Sequence, residues 1–381
     1  MSTHFSGKQW KIWIGVSVGI LVVGILFYLN LTQTRFISVS KGAGSHCWED
    51  KNHNGIVDLG LEKEFYLCAS GEYRKEQLTD VFYSIHWTGA SFAFIGGALL
   101  FMGLRDVFYM IRIRVLSNHS LSWKSSFQTI MLWEFASALS PGVMSGAAVA
   151  MFILNREKIP LSKSTTMVLV TAMLDNFFFC IMIPLVFLFF DSTLIFPANS
   201  MAEYLFWMGY GVFFCVFLFF FLSVFILPGL IPRLLLGIFS LPILKRWKLA
   251  VDRFTSDLKE ATKEMRTYRI FFWLQLTGAT FGSWVSRFLV INFLLAAFLP
   301  LDATRHLLIL AKQFILWLFM RMSPTPGGSG VAEYAFSELL GALGGSTLII
   351  LVLAFLWRIL SYYSYLLIGS ILLPRWLSKN R

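Results

Sequence analysis

Between positions 204 and 228 the chain reads YLFWMGYGVFFCVFLFFFLSVFILP, without one charged residue. About 20 apolar residues in a helix cover the roughly 30 Å of hydrocarbon in a bilayer. In that medium only a helix or a closed barrel satisfies every backbone donor and acceptor. Comparable runs cover 12–31, 82–104, 125–154, 165–190, 270–298, 307–340 and 346–373. The fold expected is an all-α polytopic membrane protein. Composition agrees, with 57% hydrophobic and only 14% charged residues, against about 25% charged in a soluble domain. The net charge of +11 raises nucleic acid as a partner. In a membrane chain the placement of charge matters more than its sum, so no nucleic-acid partner is expected.

The first run, 12–31, follows Lys8 and Lys11 as a signal peptide would. It is longer than an apolar signal core of roughly 7–15 residues, and "NLTQTRF" offers no small-x-small cleavage site. Residues 1–31 are read as a retained anchor.

Two runs are interrupted, 125–154 by "SALSPGVMSG" (137–146) and 307–340 by "MSPTPGGSGVAEY" (322–334). Each is long enough for a hairpin of two half-helices. Basic residues, which gather on the cytoplasmic side, decide between hairpin and span. If both broken segments enter and leave on one face, the cytoplasmic pieces are 1–11, 105–124, 155–164, 229–269 and 374–381. They then hold 21 of the 32 Lys and Arg residues. Making 125–154 a full span would put Arg156, Lys158 and Lys163 outside. The expected architecture is about six spanning helices plus two re-entrant hairpins, with both termini cytoplasmic. "SPGVMSGAAVA" (140–150) and "TPGGSGVAEYA" (325–335) share a Pro-Gly turn, then Ser-Gly, then small residues. Three crossings separate them, so the hairpins would be oppositely oriented, an inverted repeat like those of many secondary transporters. Two unrelated Pro-Gly kinks would look the same.

These two motifs carry a resemblance. "SALSPGVMSGAAVAMFILNREKIPLSKS…LDNFFF" and "SPTPGGSGVAEYAF…LWRILSYYSYLLIG" resemble the flippase-like membrane domain of the lysylphosphatidylglycerol synthase family. On the family's first motif fall Pro141, Gly142, Gly146 and Asp175. On its second fall Pro324, Pro326, Gly327, Gly328, Gly330, Glu333 and Arg358. The likeness covers most of 82–373 and implies a lipid-headgroup flippase or lipid-linked transport role. Eight residues follow the last run (374–381), so the family's soluble aminoacyl-transferring domain is not expected, and aminoacylation is not carried over. "SPGVMSG" also lacks the Arg often found after those glycines.

Charges inside a bilayer cost about 2.5–3.5 kcal/mol each on insertion scales and mark a pathway or a pair. They are Glu134, Asp175, Arg287, Lys312, Arg321, Glu333, Glu338 and Arg358. Broken helices leave N–H groups free at a positive dipole end, and glycines let a phosphate approach them. Gly327, Gly328 and Gly330 are therefore expected to cradle a lipid phosphate, with Arg287 or Arg358 as counter-charge. Glu333 would receive an amine or carry a coupling proton. Internal pairing, Arg358 with Glu333 or Asp175, is the competing reading. Lys312 and Arg321 fit snorkelling as well as function, and Asn176 fits a helix–helix hydrogen bond.

"GGSG" (327–330) formally matches the Gly-x-Ser-Gly of rhomboid-type proteases, but a nucleophilic Ser329 needs a base in reach. The six histidines all fall outside the runs or at their edges.

The outer loop, 32–81, contains "CWEDKNHNGIVDLGLEKEFYLC" (47–68). Asp50, Asn52, Asn54, Gly55 and Asp58 follow the spacing of a calcium loop, with Glu62 one place late for the bidentate ligand. The pattern suits a weak calcium site, and suits an Asn-Gly turn equally. No other cofactor is expected. Cys47 and Cys68 bracket the stretch on the oxidising side and are expected to form a disulfide; Cys180 and Cys215 lie within runs. "KRWKLAVDRFTSDLKEATKEMRTYR" (245–269) reads as an interfacial basic helix or a solvated connector.

The function expected is a bacterial inner-membrane transporter moving an amphipathic lipid or lipid-linked headgroup between leaflets, not an enzyme. Its partners would be anionic membrane lipids. The alternative is a non-transporting scaffold or regulator of an envelope-lipid or polysaccharide enzyme, and a distant third is an intramembrane serine hydrolase.

Overall fold

Thr88, Ser122 and Asp302 mark where helices begin, because each side-chain oxygen accepts from a backbone N–H three residues on, at 3.2, 3.1 and 2.7 Å. Such caps satisfy donors that the first turn leaves open. The computed structural model describes residues 35–53, 55, 57, 62–76, 87–140, 143–196, 200–227, 229–240, 248–323, 325–328, 330–341, 343 and 347–379. The expected anchor 12–31 lies outside the described residues, as do Asn54, Asp58, Pro141, Gly142, Pro324 and Ser329.

The helices are α1 (Gly89–Leu116), α2 (Trp123–Leu139), α3 (Val143–Arg156), α4 (Leu161–Phe189), α5 (Ser200–Phe225), α6 (Leu230–Ile238) and α7 (Lys248–Met265). They continue as α8 (Ile270–Ala296), α9 (Ala303–Met322), α10 (Val331–Gly341), α11 (Thr347–Arg358) and α12 (Ser364–Lys379). A π turn at Ile359–Tyr363 joins the last two. Among the described residues, six stretches are long and apolar enough to cross a membrane: α1, α4, Glu203–Ser223 of α5, α8, α9 and Val352–Ser378.

Two expectations need correcting. The segment 105–124, read as a cytoplasmic piece, is helical as far as Leu116, and Arg105 and Arg112 are buried in the bundle. The apolar face simply continues past residue 104, and each guanidinium finds a carboxylate. The first arm of 307–340, expected as a half-helix, is longer than that, a 20-residue helix, α9, with α10 returning beside it.

Both interruptions are real breaks. α2 and α3 fold back on each other: a Cβ added at Gly146 would come within 2.3 Å of the Ser137 hydroxyl across the turn. α9 and α10 also run back alongside each other, since the Lys312 ammonium donates to the Leu339 carbonyl at 2.7 Å. Lys312 is thus buried and structural, not snorkelling.

In lipid, apolar burial does not drive helices together; close packing and interhelical hydrogen bonds do. α1 and α8 pack along their length, joined by Ser91 Oγ to the Ala297 carbonyl at 2.8 Å and Ser283 Oγ to the Arg105 carbonyl at 3.3 Å. Phe178 and Phe179 of α4 meet Trp284 and Phe288 of α8 and Phe314 of α9 in one aromatic cluster. α7, within the basic stretch 245–269, packs against α4. At its exit Tyr268 donates to Glu264 at 2.6 Å, and burial pushes its phenol well above the usual range.

The segment read as an outer loop contains a four-stranded antiparallel sheet, β1 (Arg35–Ser38), β2 (Gly44–Trp48), β3 (Phe65–Gly71) and β4 (Tyr73–Glu76), in the order β1-β4-β2-β3. Its small core stacks Phe36 on Phe65 at 3.9 Å. Cys47 and Cys68 form a disulfide between β2 and β3, with Cα atoms 5.8 Å apart.

Candidate functional site

Arg105, Tyr109 and Arg112 recur at intervals of four and three, so they share one face of α1. All three are buried. Arg105 donates to Asp106 at 2.7 Å, and also to Glu134 of α2 and to the Tyr365 hydroxyl of α12. Arg112 donates to Asp175 of α4 at 2.6 Å and to Thr280 of α8 at 3.3 Å. Asp175 accepts a second bond, from the Trp284 indole at 2.9 Å. The Tyr109 ring lies beneath both guanidiniums, at 4.6 and 4.4 Å. A buried charge left without a partner costs several kcal/mol, and here each buried arginine of α1 meets a carboxylate on another helix.

Arg287 of α8 stands between the rings of Trp284 and Trp317, at 5.0 and 4.7 Å. Its guanidinium is 3.7 Å from Glu134, which therefore faces two arginines. Arg321, near the end of α9, donates to Asn176 at 2.8 Å over the Phe179 ring.

The second break is organised differently. Gly327, Gly328 and Gly330 have φ of 59°, 68° and 84°, the left-handed region that glycine enters without penalty. Glu333, three residues past Gly330, accepts the Gly330 N–H at 2.7 Å, closing the start of α10 as a capping box does. The same carboxylate lies 2.9 Å from Arg358, whose guanidinium also donates to the Gly327 carbonyl at 3.0 Å. The Gly328 N–H is bonded to the Thr325 carbonyl at 3.1 Å. The expectation that these glycines offer open N–H groups to a phosphate is thereby corrected for Gly328 and Gly330. The carboxylate and the turn itself occupy those donors.

Between the two breaks lies a cavity of about 270 Å³. Its charged lining is Glu134, Asp175, Arg287, Arg321 and Arg358, and Gly327 and Gly328 form part of its floor. Tyr109, Trp284, Trp317, Trp357, Tyr362 and Tyr365 supply aromatic wall, and Ser137, Ser140, Ser323 and Thr325 supply hydroxyls. Three arginines against two carboxylates leave the lining cationic. The space suits a polar headgroup rather than a whole lipid, being below the roughly 300–1,000 Å³ of sites that bury drug-sized ligands.

Of the residues singled out in the sequence, Glu134, Asp175, Arg287, Arg321, Gly327, Gly328 and Arg358 line this one cavity. Gly146 packs against Ser137, and Gly330 and Glu333 stand behind the lining. The side chain of Pro326 lies outside the described residues, and Glu338 is exposed on α10. Arg105, Asp106, Tyr109, Arg112, Trp284, Trp317 and Tyr365 were not foreseen. In the outer segment Asp50 accepts the Gly55 N–H at 2.8 Å, and Glu62 pairs with Lys75. Among the described residues no three His, Cys, Asp or Glu side chains converge as a metal site would require.

Several membrane-length helices, two of the breaks in the bundle meeting at a charged internal cavity, and arginines buried against carboxylates define a multi-pass membrane protein with a polar site inside its helical bundle. The chain belongs to the lysylphosphatidylglycerol synthase family: residues 70–369 match that family's transmembrane region. No curated protein and no solved structure matches the sequence.

Proposed function

We propose that the protein moves the polar headgroup of an amphipathic lipid, or a lipid-linked headgroup, from one leaflet to the other without making or breaking a covalent bond. The observation that carries this reading is the cationic cavity lined by residues from both broken segments. Arg287 and Arg321 would meet the phosphate, guanidinium being the better match to its oxygens. Glu134 and Asp175 hold the surrounding arginines and balance the site when it is empty. In this reading α2–α3 and the turn between α9 and α10 are oppositely oriented re-entrant hairpins of an inverted repeat, whose site lies near the midplane. The membrane is the bacterial inner membrane, both termini are cytoplasmic, and anionic lipids are the partners.

The test is reconstitution into liposomes carrying a trace of phosphatidylglycerol labelled on its acyl chain, with outer-leaflet label quenched by a membrane-impermeant reductant. The protein should raise the fraction of label reached above that of protein-free liposomes, and Arg287→Gln and Arg321→Gln should each reduce the rate. Label accessibility equal to that of empty liposomes would sink the transport reading and leave a scaffold for an envelope-lipid enzyme.

A further inference from the structure

α11 and α12 form one continuous helix, interrupted where the Ser364 N–H bonds to the Ile359 carbonyl five residues back. A π turn amounts to an α-helix with one residue added, has poorer hydrogen-bond geometry, and recurs at functional sites. Contacts outside the helix hold it here. Arg358, just before the turn, reaches the Gly327 carbonyl and Glu333 on the second break. Tyr362, inside the turn, donates to the Ala138 carbonyl at 3.1 Å, at the end of α2 beside the first break. Its ring also fills the space over Gly327, where an added Cβ would lie 2.1 Å from Cε2. Tyr365, just after the turn, donates to Asp106 of α1 at 2.8 Å.

In an uninterrupted α-helix residues seven apart share a face to within about 20°. Arg358 and Tyr365 would then point the same way. One added residue rotates everything after it by roughly 100° relative to what precedes it. The turn therefore aims Arg358 at the second break while Tyr362 and Tyr365 reach the first break and α1.

We propose that the π turn is a coupling joint. It ties the tips of both broken segments to a single helix, so that they move as one, and a return to α register frees one tip while the other stays held. This holds whatever the cavity carries, so it stands or falls separately from the lipid reading.

The experiment uses the full chain in nanodiscs, with Cys180 and Cys215 replaced by alanine and spin labels on L139C and Y334C. Both positions are exposed, one on each broken segment. The intact register should give one narrow label-to-label distance. Deleting Leu360 restores α register and should split or broaden the distribution. Tyr362→Ala keeps the register, removes the wedge, and should broaden it too; it decides the matter if the deletion variant fails to fold by circular dichroism. An unchanged distribution in either folded variant, or a broad one in the intact chain, overturns the proposal.

Discussion

The two breaks hold their carboxylates in opposite ways. Glu134, beside the first, is gripped from outside by Arg105, 29 residues earlier on α1, and by Arg287 of α8. Glu333, beside the second, is fixed largely from within, by the N–H of Gly330 three residues before it, and by one arginine of α11. One acid is part of the framework that joins three helices. The other is a local cap with a tether. Damage at the first should therefore spread through the bundle, and damage at the second should stay near the turn.

The largest effect is expected from Glu134→Ala, which removes the carboxylate shared by two arginines. Breaking a buried pair costs roughly 3–5 kcal/mol, and thermal unfolding in detergent should show it as a large loss spread over the whole transition. Glu333→Ala removes a charge-assisted cap bond and a single ion pair, for about 1.5–3 kcal/mol; its signature in hydrogen exchange should be confined to α10 and the turn before it. Equal spread in the two variants would break the comparison. The double variant sharpens it: additivity to within about 0.5 kcal/mol means two independent sites, and a larger deviation means that the tips are coupled.

Smaller effects separate the glycines. Gly327→Ala forces a left-handed residue against the Tyr362 ring and should destabilise by about 1–3 kcal/mol. Gly146→Ala, in a helix, meets first the Ser137 hydroxyl, which can rotate away, and then the Ser137 Cβ at 3.2 Å and Cα at 3.4 Å, which need give by only a few tenths of an ångström. The better helix propensity of alanine, up to about 1 kcal/mol, offsets much of that, so little net change should be seen by the same measurement. A Gly146→Ala variant less stable than Gly327→Ala would reverse the assignment of which turn is strained.

Much of this site was legible because intramembrane charge and broken helices leave strong traces in sequence. Glu134, Asp175, Arg287 and Arg358 stand out in apolar runs, and the Pro-Gly stretches announce the turns. Arg105 and Arg112 are hidden in the sequence because hydropathy falls at Arg105-Asp106, which reads as the end of an apolar run. The signal was present in FMGLRDVFYMIRIRV (101–115), where Arg105, Tyr109 and Arg112 recur at helical spacing on one face. Glu333 is a mixed case: its pairing with Arg358 is one of the two readings the sequence offers, and its cap on Gly330 is in neither. Its spacing of three from Gly330 is that of a cap as much as of a ligand, and only the coordinates show the carboxylate turned back to its own backbone. The sheet in 35–76 left a weak trace, because its strands are short and its core is little more than Phe36, Phe65 and Tyr73.

Burial of three charges in α1 has a consequence for how the chain is made. Alone in a bilayer, Arg105, Asp106 and Arg112 would each carry an insertion penalty of about 2.5–3.5 kcal/mol. Their partners are synthesised later: Glu134 comes 29 residues after Arg105, Asp175 comes 63 after Arg112, and Tyr365 comes 260 after Arg105. Within α1 itself only Asp106 is at hand for Arg105, so the full pairing of these charges waits for α2 and α4, and the order of synthesis becomes part of how the bundle closes.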